Sequence, residues 1–213
     1  MQVLPENAST WPPNGWRLTV WLSVAVLAAC AAAASLAGDP ADGARMVIRL
    51  TARTSLILFV LAFTASSLAR LWPSAMTRWL RANRRYFGLA FAFSHGIHAA
   101  AIFALSQLDP VLFDALTAPA AFIAGGIGYL AIVLMASTSF DRTAAAVGLK
   151  AWRVIHTGGA WFLAIFFVVN FGRRAVLMPE MYWPYMALIL AAIALRLIVR
   201  LRGRKRDMAR LGA

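Results

Sequence analysis

The chain contains three histidines, His95, His98 and His156, and each falls inside an apolar run long enough to cross a bilayer. An ionisable ring at membrane depth is costly, so such a residue usually marks a site rather than packing. His95 and His98 stand one helical turn apart, in a run that opens on Arg84-Arg85 and stays apolar through Leu105. A neutral imidazole offers one lone pair to a metal while its other ring nitrogen donates to a carbonyl or hydroxyl. Imidazoles on separate helices of a bundle could therefore hold iron. Haem suits that setting, because its macrocycle is apolar and its propionates need cations. On this reading His98 and His156 are iron ligands and His95 is an accessory on the same face. Arg84 and Arg85 would pair with propionates or an anionic headgroup, and Ser94 is a polar neighbour. The plainer reading gives His95 and His98 ordinary interhelical hydrogen bonds.

The elements that must position these rings are membrane helices. Of 213 residues 62% are hydrophobic, well above the share in soluble domains. Six apolar runs, near 16–36, 51–72, 86–105, 118–136, 152–171 and 182–199, predict an all-α polytopic bundle of six transmembrane helices. Residues 1–15, with Pro5, Pro12 and Pro13, read as a disordered lead without the features of a cleavable signal. Residues 200–213 read as a basic tail. The stretches between the runs read as connections: a turn at Gly38-Asp39-Pro40 with polar residues after it, a strongly basic link before Arg84, a short acidic loop at 107–117, and a loop at 137–151. Gly125, Gly126 and Gly128 predict close helix packing rather than a phosphate loop, since no strand precedes them.

The net charge of +13 does not read as a nucleic-acid face, because the basic residues lie between and after the apolar runs. Arg78, Arg81, Arg142, Lys150 and the tail arginines fall on one side, which the positive-inside rule assigns to the cytoplasm together with both termini. Arg45, Arg49, Arg173 and Arg174 fall on the other, with Arg53 at the membrane edge. Arg173 and Arg174 suit a headgroup, an acidic partner or a propionate, and the tail suits an anionic-lipid anchor. Tyr86, Trp152, Trp161 and Trp183 suit interface anchoring better than porphyrin stacking. One cysteine, Cys30, allows neither a disulfide within the chain nor a cysteine metal site. There is no Ser-His-Asp set, Walker loop or dinucleotide fingerprint, and no intramembrane acid that would suggest a proton-coupled transporter.

Arg84-Arg85-x-x-Gly88-Leu89 with His98 in the same run, Thr138-Ser139 after the fourth run, and Trp152-x-x-x-His156 opening the fifth form an ordered series. Over roughly 51–171 it resembles the ferric-reductase-like transmembrane family. Within that family it is most similar to the MsrQ (YedZ) branch, haem-binding membrane subunits of a periplasmic methionine sulfoxide reductase system. The resemblance implies one or two b-type haems on His98 and His156. It implies electrons passing across a bacterial inner membrane, from a cytoplasmic flavin reductase or quinol to a periplasmic reductase or other acceptor. Flavin or quinone would arrive with a partner, since no flavin or nicotinamide domain is visible. The family's further histidine, later in the fifth span, is replaced here around Val168-Val169-Asn170. His98 lies about 20 Å from the Arg84 end of its helix and His156 only a turn past Trp152, too far apart in depth to clamp one iron. Three arrangements stay open: a haem on His98 with Asn170, water or nothing opposite; a haem on His156 with a non-histidine partner; or helices shifted so that His95 or His98 meets His156. The alternative function is a haem-free membrane anchor or assembly partner.

Overall fold

A computed structural model describes residues 12–211 as helices and short connections, with no strand among them. The helices are α1 (Trp16–Ser35), α2 (Pro40–Leu71), α3 (Ala75–Ala82), α4 (Arg84–Leu108), α5 (Pro110–Leu116), α6 (Pro119–Ser137), α7 (Asp141–Leu177) and α8 (Pro179–Leu211). Six of them, α1, α2, α4, α6, α7 and the Pro179–Gly203 part of α8, are long and apolar enough to cross a membrane. The chain is a multi-pass membrane protein.

Several stretches that the sequence suggests are connections are helical, and capping explains most of them. Asp39 accepts hydrogen bonds from the Ala41 and Asp42 backbone N–H groups, and Pro40 fills the first helical position. Together these start α2 about three turns before the apolar run, despite the polar residues between. In the basic link, Ser74 and Thr77 form a reciprocal capping box that opens α3. Asp109 caps α5 inside the expected acidic loop. Residues 141–147 are helical too, and Gly148, at φ 77° and ψ 158°, breaks α7 there. That backbone region is open essentially to glycine alone. Past the expected end at 171, α7 continues to Leu177, so Arg173 and Arg174 sit in its final turns. The tail continues α8 to Leu211. Side chains from 204 onward, residues 212–213, and residues 1–11 of the expected lead lie outside the described residues.

At the centre stands α2, packed on α1, α3, α4 and α8. Leu56, Phe59, Val60 and Phe63 are buried in the core, where Phe59 stacks on Phe63 and meets Phe91 of α4 and Phe167 of α7 in a run of aromatic contacts. By contrast α6 is peripheral, touching α7 and α4. Of the three glycines expected to pack closely, Gly125 and Gly126 face open space, while Gly128 is buried, with Phe162 of α7 3.8 Å from where its Cβ would stand. The close approach runs the other way: a Cβ on Gly159 of α7 would lie 2.6 Å from the Met135 sulfur on α6.

One end of the bundle is tied by Asn83, which is buried. Its side-chain oxygen accepts from the Gly15 N–H at 2.9 Å, and its amide donates to Asn14 and to the Trp79 carbonyl. Thr19 donates to the Tyr86 carbonyl, and Trp16 packs on Tyr86 and Phe140. The start of α1 therefore lies beside the start of α4. An even number of spans brings the far part of α8 to the same end, where Arg196 meets the residues around Arg84. Removing a buried partner strands the groups it satisfied, at roughly 1–3 kcal/mol. Asn83→Ala is expected to lower the thermal midpoint of the detergent-purified chain clearly, whereas Asn14→Ala, at an exposed position, stays near wild type. Equal effects would show that the Asn83 ties do not hold this end.

Candidate functional site

The histidines form two groups at different depths. The first surrounds a cavity of about 460 Å³ between the third and fifth spans, α4 and α7, with walls from α2, α6 and α8. That is the size of a ligand pocket. Phe59, Phe63, Phe91 and Ile132 make its apolar walls, and Gly88 and Ala92 keep the α4 wall low. His156, Arg84, Arg85 and Arg196 are its principal polar members.

Each of these is positioned by a specific contact. The Thr138 hydroxyl lies 2.6 Å from the Leu134 carbonyl, to which it donates, and 3.0 Å from Nε2 of His156. With its proton committed to the carbonyl, Thr138 accepts from Nε2–H, which leaves the lone pair on Nδ1 of His156. Trp152 stacks on the imidazole at 4.3 Å and donates its indole N–H to the Thr138 carbonyl. Thr138, Trp152 and His156 thus fix one another. Arg85 donates to Asp141 and to the Ser139 carbonyl, fastening α4 to the α6–α7 connection. Arg84 reaches Ser66 at 2.9 Å and has no carboxylate partner among the described residues. Arg196 sits over the Phe63 ring at 4.1 Å and near Trp161 at 5.5 Å. A guanidinium held against aromatic faces is partly compensated but keeps its charge for an anion. The cavity therefore carries more positive charge than Asp141 neutralises.

The second group lies deeper. On α4 the cavity lining ends at Ala92, while His98 lies six residues further, about 9 Å along the axis. Neither His95 nor His98 lines the cavity. His95 and His98 stack at 5.0 Å, and Tyr129 of α6 lies 5.2 Å from the His95 ring. Phe91 and Phe167 occupy the neighbouring space towards α7. The Thr51 hydroxyl donates to the Val47 carbonyl at 2.6 Å and so accepts from Nδ1–H of His98 at 2.9 Å, leaving Nε2 of that ring with its lone pair. Ser94 is fully buried and bonded to Ser55, continuing a polar seam between α2 and α4. Two shielded atoms here lack a hydrogen-bond partner among the described residues, Nδ1 of His95 and the Tyr129 hydroxyl.

His98 and His156 are accordingly not brought together. Nor is Asn170 placed opposite His98: it is exposed, and its amide donates to the Phe166 carbonyl of its own helix. Among the described residues no three His, Cys, Asp or Glu side chains converge on one point as a metal site would require. A b-type haem, whose porphyrin brings four of the iron's ligands, asks less of the chain: an imidazole, apolar walls and cations. The cavity provides all three. Sequence reasoning had passed over Arg196, although a lone arginine inside an apolar run carries the same signal of rarity as the histidines. Met135, a thioether in the cavity wall, was likewise passed over and gives no comparable signal.

A model of the family described as ferric reductase like transmembrane component matches residues 50–167, more than half of the 213-residue chain. The matched stretch takes in all three histidines, Arg84 and Arg85, and leaves out Arg174 and Arg196. No curated protein and no solved structure matches the chain.

Thr51 and His95 give a test that needs no cofactor. Thr51→Val strands the His98 N–H and should destabilise the apo-protein by about 1–3 kcal/mol. His95→Phe removes a ring nitrogen that already lacks a partner and should be neutral or stabilising. Equilibrium unfolding of both variants in detergent checks this, and a His95→Phe loss as large as that of Thr51→Val would contradict the assignment.

Proposed function

The chain belongs to the ferric reductase-like transmembrane family, and from that premise we propose that it is a haem-binding electron-transfer subunit of a membrane reductase. The observation that carries this reading is the α4–α7 cavity, in which one imidazole and three guanidinium groups border apolar walls. A bound haem b would supply one-electron transfer. His156 would offer the iron Nδ1, the nitrogen that Thr138 leaves free, with Thr138 and Trp152 holding its ring. Arg84 and Arg196 would hold the propionate carboxylates, while Arg85 is already engaged with Asp141. Phe59, Phe63 and Phe91 would exclude water and lower the local dielectric. His98, with Nε2 unengaged, would be the ligand of a second haem only if Phe91 and Phe167 moved aside.

The basic residues around Arg84, Arg85 and Arg142 favour a cytoplasmic placement of this end and of both termini, in a bacterial inner membrane. A cytoplasmic flavin reductase, or quinol within the bilayer, would then be the donor, and a periplasmic reductase the acceptor. The ordered motifs favour the MsrQ branch. A haem-free anchor or assembly partner is the second reading. What favours it is that His98 and His156 each already have a threonine partner, as a purely structural histidine would.

Absorption spectra of protein purified after expression with haem supplied separate the two. The expected result is a Soret band with resolved α and β bands on reduction. His156→Ala should remove the haem of the cavity, and Arg196→Gln should weaken its retention about ten-fold, the value of one charge-assisted contact. His98→Ala and His95→Ala, both outside the cavity, should leave its haem in place. Colourless wild-type protein with an unchanged fold would support the anchor instead.

A further inference from the structure

At the opposite end of the bundle, α2, α7 and α8 bring two arginines to a single tyrosine. The Arg53 guanidinium lies 5.5 Å from the centre of the Tyr182 ring, and that of Arg174 lies 5.8 Å from it. Arg174 also donates to the Tyr182 hydroxyl at 3.4 Å, and Tyr182 is buried. Arg53 reaches the sulfur of Met181 at 2.9 Å, a weak acceptor for a charged donor. Its Nε is shielded and lacks a hydrogen-bond partner among the described residues. Neither arginine has a carboxylate partner there either: the ion pairs are Arg45–Asp42 and Arg85–Asp141, and Glu180 joins neither. Both guanidinium groups therefore keep their charge, with donors free for an anion.

We propose that Arg53, Arg174 and Tyr182 clamp the phosphate of an anionic phospholipid headgroup, at the end of the bundle away from Arg84 and Arg85. The planar fork of each guanidinium matches phosphate oxygens, and the tyrosine hydroxyl adds a neutral donor. The surroundings favour a lipid over a free anion. Val176 and Leu177 are 83% and 80% exposed, and Met181 and Trp183 are exposed beside them, so apolar side chains flank the clamp on the outer surface. A phosphate arriving there would come with acyl chains to cover that surface. The site is separate from the α4–α7 cavity and does not depend on haem.

Native mass spectrometry of the full chain, purified in detergent with equal amounts of dioleoyl phosphatidylglycerol and dioleoyl phosphatidylcholine, tests the proposal. Wild type should retain phosphatidylglycerol preferentially. Arg53→Gln and Arg174→Gln should each lower that retention about ten-fold, as loss of one charge-assisted hydrogen bond implies. Arg173→Gln changes the charge next door without touching these contacts, and should behave as wild type. Undiminished retention in both clamp variants, or an equal loss in Arg173→Gln, would overturn the clamp. Inorganic phosphate that displaces the phosphatidylglycerol and alone raises the thermal midpoint would overturn the lipid assignment in favour of a free anion. Should Arg53→Gln fail to fold, Arg53→Lys keeps the charge but loses the fork. It should show the same loss with unchanged helicity, and full retention would count against the proposal.

Discussion

A polar atom placed in hydrocarbon is costly unless it finds a partner within the protein, and much of this architecture follows from that cost. Lipid supplies no hydrogen bonds, so each stranded donor or acceptor costs free energy that packing must offset. The chain limits that cost with hydroxyl groups one helix away from the ring they hold. Thr51 on α2 holds His98 on α4, and Thr138 at the end of α6 holds His156 on α7. In both cases the hydroxyl gives its own proton to a carbonyl of its own helix, so it can only accept from the imidazole. This fixes which nitrogen keeps the lone pair, and it differs between the two rings: Nε2 of His98 and Nδ1 of His156.

Arginine is treated differently from histidine. Arg85 is neutralised by Asp141 and ties the start of α4 to the α6–α7 connection, a structural use. Arg84 and Arg196, and at the far end Arg53 and Arg174, are held by a serine, aromatic faces, a thioether or a phenol. These contacts position a guanidinium without cancelling its charge. The bundle thus presents positive sites at both ends, separated by a core in which Phe59, Phe63, Phe91, Phe167 and Phe171 pack ring against ring. That core leaves room near His156 and fills the space beside His95.

The six spans were legible because length and apolarity alone decide which helices can cross a bilayer. Helix ends were less so. Asp39-Pro40 and Ser74 carry readable capping signals that were outweighed by the polar residues after them, and Gly148 hid a break within a helix that starts at Asp141. The histidines were legible as candidates through rarity, and helical rise separated His98 from His156 in depth. What a linear reading could not give was the partner of each ring, because Thr51 lies 47 residues from His98. Arg196 was legible by the same rarity and was passed over inside the run 182–199.

The central claim is that the α4–α7 cavity offers iron one imidazole, that of His156, with Gly88, Phe91 and Ala92 on the α4 wall supplying no second one. Electron paramagnetic resonance of the oxidised, haem-loaded protein would report directly how many imidazoles the chain gives the iron. The account predicts a ferric signal with a single imidazole ligand, abolished by His156→Ala and unaltered by His98→Ala. A bis-imidazole signal lost in either variant would contradict it.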